Sequence, residues 1–359
     1  MKIEVYRRAP FVDREEEIDF LVEWFNRVPQ RILWIYGPKS SGKTTLIEYV
    51  IEKRLLAEKE WWKKGKYWVK YINLRGKLII SYRSFLESFI YPEDVYREEV
   101  ERDYWLSLKF IGIERKRLKE IRKRERDLFE EITEVIKKEA NGKKAALIVD
   151  EIQILRDLYI KNGNGARELL KEFLNFCVRL TKETHLSHVA ILTSNTIFID
   201  RIYNDARLKE TSEFWKVDHL KKERVREWLR EEGFGEEEIG LVWEYVGGSI
   251  SRLIKVIEAR KSGRDLKEHL EREAWLAYTE IVELLRKVED REVKEGFRKI
   301  CEEILREGFY QVKSDEDKKI NKAIEYFSER EILFYDPLEL RVTGNSRVYE
   351  KAMERVIGP

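Results

Sequence analysis

Residues 37–45 read GPKSSGKTT and residues 147–155 read LIVDEIQIL. The first stretch matches the spacing GxxxxGK[ST], between the apolar run RILWIYG (31–37) and a helix-compatible segment from Lys43 to about Leu56. That setting gives the pattern a chemistry. Glycines let the backbone curl so that its N–H groups turn inward on phosphate oxygens, and the next helix aims its positive end at the same point. Gly37, Pro38, Lys39, Ser40, Ser41, Gly42, Lys43, Thr44 and Thr45 are therefore the expected phosphate-binding residues. Lys43 would reach the β- and γ-phosphates, and the Thr44 hydroxyl would ligate Mg²⁺.

The second stretch sets two carboxylates at the end of an apolar strand. Mg²⁺ keeps several waters and takes few protein carboxylates, so Asp150 alone suffices as the partner of Thr44 at the metal. Glu151 would orient or deprotonate the water attacking the γ-phosphate, the alternative being a cap on the next segment. Adjacent acids here favour the arrangement in which another strand lies between the phosphate strand and the acidic strand. HVAILTSN (188–195) is the candidate for that strand, and Asn195 at its polar end is expected to sense phosphate and position water.

These residues need a scaffold. Strands are expected at 31–37, 67–74, 145–150, 188–195 and 214–220, with helices at 43–56, 81–90 and 166–182 between them, which predicts an α/β fold: a parallel sheet covered by helices on both faces. Residues 93–140 carry dense charge over helical apolar spacing, giving either a solvated helical face or a nucleic-acid contact. From Lys221 to Val288 only helical patterns occur, broken at glycines. Two further amphipathic helices precede EILFYDPLELRV (331–342), whose alternation about Asp336-Pro337 predicts a hairpin and, with the helices, a winged helix-turn-helix. The expected domains are 1–218, 219–285 and 286–359.

Composition narrows the classes. Hydrophobic residues make up 43% of 359 and charged residues 39%, nearly cancelling to +2. That supports a sizeable core and excludes a globally basic nucleic-acid coat. Gln30, Gln153 and Gln311 are the only glutamines, a profile of hyperthermophile type. Cys177 and Cys301 stand far apart without a CxxC, which excludes a zinc framework, and His185 and His188 read as solvated loop residues. MKIEVYRRAP lacks an apolar signal core, and no apolar run is long enough to span a bilayer, so a cytoplasmic protein with no membrane partner is expected.

Taken together, these stretches resemble archaeal-type P-loop ATPases of the AAA+/STAND group, distantly similar to origin-recognition ATPases. FVDREEEIDFL (11–21) is similar to the family's N-terminal segment, LIVDEIQIL carries its Asp-Glu-x-Gln, and IYNDARL (202–208) resembles its arginine-bearing segment. The resemblance implies an AAA+/ASCE-type fold with a helical lid, and ATP and ADP with Mg²⁺ as ligands. It also implies adenine-side contacts from Phe11, Val12 and Arg14. Arg207 would be an arginine finger, in cis or in trans, or else a structural ion pair. At the lid, GGSISRL (247–253) has Ile250 where proline is common and Ser251 where an arginine falls, leaving Arg252 one position on.

The implied activity is slow ATP hydrolysis driving a conformational switch. The alternative is a DNA-binding regulator using ATP as an assembly ligand, with Lys318, Lys319, Lys322, Arg330, Arg341 and Arg347 as phosphate contacts. The C-terminal module would then face either DNA or an unknown protein surface, the chain's own included.

Overall fold

A computed structural model describes residues 3–6, 9–12, 14–56, 66–75, 128–155, 159–162, 165–204 and 206–358. The helix expected at 81–90 and most of the charged segment 93–140 lie outside them, although its end is the helix α3 (Leu128–Ala140). An N-terminal hairpin, β1 (Ile3–Tyr6) and β2 (Ala9–Val12), leads into α1 (Glu15–Asn26).

The central sheet holds β3 (Ile32–Tyr36), β4 (Tyr67–Asn73), β5 (Lys144–Asp150), β8 (Ser187–Thr193) and β9 (Ser212–Lys216) in the order β4-β5-β8-β3-β9, and every pairing is parallel. β8 thus separates β3 from β5, as expected from the paired acids. All five residues of β3 are buried, as a parallel strand covered on both faces requires. Ile32, Trp34 and Tyr36 join one core with α3 and α4 (Leu169–Val178), whereas Leu33 and Ile35 face α1 and α2 (Lys43–Val50). This is the two-residue period of a strand expressed as two layers. Residues before α4 form a second hairpin, β6 (Tyr159–Asn162) with β7 (Gly165–Glu168), so that helix begins later than the expected 166.

His188 is no loop residue. It lies in β8 at 1% exposure, its ring 4.9 Å from that of Trp24 and 5.6 Å from that of Phe25. The helix α5 (Thr196–Asn204) returns along the sheet to the short helix α6 (Ala206–Lys209) and β9.

Four helices follow: α7 (Lys222–Glu231), α8 (Glu236–Val246), α9 (Ile250–Lys261) and α10 (Leu266–Lys287). The last module contains α11 (Arg291–Glu307), β10 (Tyr310–Gln311), α12 (Lys318–Glu329), β11 (Leu333–Asp336), β12 (Arg341–Gly344) and the helix α13 (Arg347–Ile357), the last not anticipated from sequence. Asp265, Asp290 and Asp317 cap the starts of α10, α11 and α12 through their carboxylates. The expected hairpin is β11–β12, joined by a turn in which Asp336 Oδ1 accepts from Leu338 N–H (3.1 Å), with β10 adding a third antiparallel strand.

A single hydrophobic core runs from Leu220 through Met353 and takes in Ile197 of α5, so the four-helix segment and the last module share their interior. β11 joins that core to the sheet. Leu333 and Tyr335 point into the C-terminal core, and Phe334, on the other face of the strand, points into the sheet core. Among the described residues no helix is long and apolar enough to cross a membrane.

Candidate nucleotide site

Every expected chemical residue on the sheet comes from the C-terminal ends of its strands. The registers Asn73↔Asp150, Asp150↔Leu192 and Tyr36↔Thr193 bring the acidic strand, the intervening strand and the phosphate strand to one edge. In open α/β sheets this is the edge where ligands bind.

The phosphate loop is held by close backbone approaches. A Cβ at Gly37 would stand 2.1 Å from the Val217 carbonyl oxygen, so only glycine lets the loop start beside the segment after β9. Gly42 takes φ 90° as it enters α2, and Ser40 takes the left-handed φ of 64°. Lys43 is buried and donates to the carbonyls of Gly37 (3.0 Å) and Pro38 (2.8 Å). Burial pushes its ammonium down to about 8, against the opposing charges of Asp150 and Glu151. An amine so poised is compensated by anionic oxygen.

The Thr44 hydroxyl donates to Asp150 Oδ2 at 2.7 Å, and the Tyr71 hydroxyl to the same oxygen at 3.1 Å. Burial, reinforced by Asp150, pushes the Tyr71 phenol well up, so it stays a donor. A hydroxyl and a buried carboxylate facing one another are hard oxygen donors of the kind Mg²⁺ takes, so the residues present fit that ion. Among the described residues no cluster of three or more His, Cys, Asp or Glu offers a different metal set.

Glu151 has the left-handed φ of 63°, which turns its carboxylate out of the strand end. Arg75 and Gln153 both donate to it, the latter at 2.5 Å, and Gln153 in turn accepts from the Thr193 hydroxyl at 2.9 Å. Burial raises the Glu151 carboxyl, and the Arg75 charge opposes that shift. Thr193 is therefore linked to Glu151 through Gln153. Asn195 Oδ1 accepts from Phe198 N–H (3.0 Å) and caps α5.

The other expected residues are distributed unevenly. Phe11 is buried and stacks on Tyr49 with ring centroids 4.2 Å apart. Arg14, also buried, donates to the carbonyls of Ser41 (2.6 Å) and Asp218 (2.8 Å), which ties the phosphate loop to the entry of the helical segment. The side chains of Val12 and Arg207 lie outside the described residues. The α6 backbone sits where β9 begins, with Ile32 N–H donating to Thr211 O at 2.9 Å. That end of the sheet is about 13 Å of strand away from the phosphate loop. At the lid, Ile250 brings Cδ1 to 3.1 Å from the position of a Gly42 Cβ, packing the proline position of the family onto the phosphate loop. Arg252 instead pairs with Glu273 at 2.9 Å, one helical step away from that contact.

Several residues at the site carried no local signal in the sequence. Tyr71 and Arg75 reach it only because β4 pairs with β5. Glu331 and Asn345 come from the C-terminal module: Asn345 Oδ1 accepts from Lys39 N–H (3.0 Å), and Glu331 pairs with the Lys39 ammonium and accepts from Ser194 Oγ at 3.5 Å. Beside them, Tyr36 donates to Asp336 at 3.1 Å and Lys216 pairs with Asp336 at 3.0 Å.

The basic residues expected to meet DNA are largely engaged within the chain. Lys322 pairs with Asp290 and Glu292, Arg341 with Glu339, and the Arg347 guanidinium lies over Trp243.

Known proteins resemble this chain in sequence and in fold. A family described as an ATPase domain predominantly from Archaea matches residues 11–256. An uncharacterized ATP-binding protein of Methanocaldococcus jannaschii is 35% identical over 345 residues, covering 90% of this chain and 91% of its own. Another, from Pyrococcus abyssi, is 30% identical over 357 residues, covering 97% and 98%. Among solved structures, a Walker-type ATPase of Pyrococcus abyssi superposes with TM-score 0.56 at 16% identity over 99% of both chains. The ORC2 protein of Aeropyrum pernix, in ADPNP–ADP complexes, does so with TM-score 0.53 at 14% identity, over 99% of this chain and 96% of its own. A phosphate loop, a Thr–Asp pair and a poised glutamate at one sheet edge, with relatives that bind ATP, lead to one conclusion: the chain belongs to the archaeal ATPase-domain family and has the P-loop ATPase fold.

Proposed function

We propose that this chain hydrolyses ATP in a Mg²⁺-dependent reaction and acts as a nucleotide-driven conformational switch. The observation that carries this reading is the Thr44–Asp150 contact of 2.7 Å with Glu151 at the next position. Backbone N–H groups of the phosphate loop and the Lys43 ammonium would hold the β- and γ-phosphates. Thr44 and Asp150 would hold Mg²⁺, which when bound neutralises charge on the phosphate oxygens. Glu151 would accept a proton from the attacking water. Water oxygen bonds to the γ-phosphorus, the bond to the β–γ bridging oxygen breaks, and ADP departs with that electron pair. Thr193 and Gln153 orient the glutamate, and Arg75 must release it before it can serve as a base.

The moving parts in this reading are the helical lid (219–285) and the C-terminal module (286–359). The regulator reading has less support. The expected wing is β11–β12, whose Phe334 and Asp336 are buried against the ATPase sheet rather than offered to a duplex.

The test is turnover and binding in the full chain. Lys43→Ala is expected to lose ATP binding, whereas Glu151→Gln retains binding and loses turnover by about a hundredfold or more, the range for a positioned base. Equal turnover in wild type and Glu151→Gln would overturn the hydrolytic reading.

A further inference from the structure

Lys39 faces the C-terminal module with both of its donors. Its backbone N–H donates to Asn345 Oδ1 at 3.0 Å. Its ammonium pairs with Glu331, whose other oxygen takes the Ser194 hydroxyl at 3.5 Å. Asn345 and Glu331 act as a pair: Asn345 N–H donates to the carbonyl of Ile332, the residue after Glu331, at 2.9 Å. Asn345 is held in turn by His219, whose Nε2 lies 2.9 Å from the Asn345 carbonyl oxygen. The C-terminal module thus lays a carboxylate and an amide oxygen against the phosphate loop, where anionic oxygens of a nucleotide would seek the same donors.

The backbone makes this arrangement specific. Glu331 follows α12 with φ 60°, the left-handed position that glycine fills most cheaply after a helix. A glutamate there costs about 1 kcal/mol in conformation. Ser40, within that loop, and Glu151, at the end of β5, are also left-handed without being glycine. Strain at residues other than glycine marks places where the side chain matters.

The contact is also displaceable. Lys39 and Glu331 side chains are 54% and 31% exposed, and a pair so open to water contributes at most about 1 kcal/mol. Beneath it the modules meet across a cavity of about 560 Å³ that touches the phosphate loop at Pro38 and is lined by charged groups including Lys216, Asp336 and Arg347.

We propose that Glu331 and Asn345 read the γ-phosphate end of the nucleotide through Lys39, so that the docked C-terminal module discriminates against ATP relative to ADP. The inference rests on the ATP-binding reading above. The γ-phosphate competes with Glu331 for the Lys39 ammonium and repels the Glu331 carboxylate, and ADP lacks that group. Triphosphate therefore loosens the module's contact with the phosphate loop, and loss of that phosphate restores it.

The experiment compares affinities for ADPNP and ADP in the full-length wild type and in Glu331→Gln, with Glu331→Gly as a second variant that also relieves the left-handed strain. Both variants are expected to bind ADPNP about fivefold tighter, the factor matching one exposed ion pair, with ADP affinity unchanged. In parallel, spin labels at Lys182→Cys and Arg306→Cys report the separation of the modules, which ADPNP should change and ADP should not. An unchanged ADPNP:ADP ratio in both variants, or the same label distances with both nucleotides, overturns the proposal. Wild-type binding no better than that of Lys43→Ala would instead remove the ATP reading beneath it.

Discussion

At the scale of single residues, the site is a set of buried polar groups each held by a named partner. Asp150 receives Thr44 and Tyr71, and Glu151 receives Arg75 and Gln153. Outside the site, His188 tests what burial does to a titrating group. It lies among Trp24 and Phe25, and burial, aided by the Lys144 charge, pushes it down to about 4. In the unfolded chain it titrates near 6.5. The unfolded state therefore takes up the proton first as pH falls. This residue's stabilising contribution is complete above about pH 6.5 and is lost as pH drops through 4. The shift is worth roughly 3 kcal/mol. The urea midpoint of wild type is expected to fall relative to that of His188→Phe as pH drops from 7 to 4. A constant difference across that range would contradict it.

Among the elements, close backbone approach overrides local propensity. Gly296 sits inside α11, where alanine is ordinarily the better helix former by about 1 kcal/mol. Here α12 crosses so near that a Cβ would lie 2.3 Å from the Lys319 carbonyl oxygen. Gly296→Ala is therefore expected to destabilise the protein by about 2 kcal/mol, the cost of overpacking, despite its higher propensity. Chemical denaturation gives the sign, and a stabilised variant would show that the helices part freely. The same logic explains the element the sequence hid. β11 and β12 were legible from alternation about Asp336-Pro337, but which core each face meets depends on the partner that closes over it.

For the whole molecule, the decisive feature is that the C-terminal module is packed onto the ATPase sheet. Phe334 fills the sheet core while its neighbours Leu333 and Tyr335 fill the C-terminal one. The helix α5 makes a second join, with Ile197 in the C-terminal core and Phe198 in the sheet core, so the two should unfold together and wild type is expected to show a single calorimetric transition. Phe334→Ala removes a buried ring at a cost of about 3–5 kcal/mol and should split that transition in two, the sheet and the C-terminal core melting separately. A single transition shifted downward would show that other contacts carry the coupling.

What the sequence by itself determined is local in origin. GPKSSGKTT and LIVDEIQIL declare their chemistry within nine residues each, because a phosphate loop needs glycines and a lysine at fixed spacing, and a buried acidic strand end has few other uses. The parallel sheet followed from apolar runs alternating with helical periods, and the place of 188–195 between the other two strands followed from the paired acids. Tertiary structure decided the rest. It linked Thr193 to Glu151 through Gln153, set Asn195 at a helix start, turned Arg14 into a tie between loop and lid, and set His188 in the core. It also brought Glu331 and Asn345 across some three hundred residues to Lys39. No spacing rule reaches that far, because which surfaces meet is fixed by the shared burial of whole faces and not by any short run of residues.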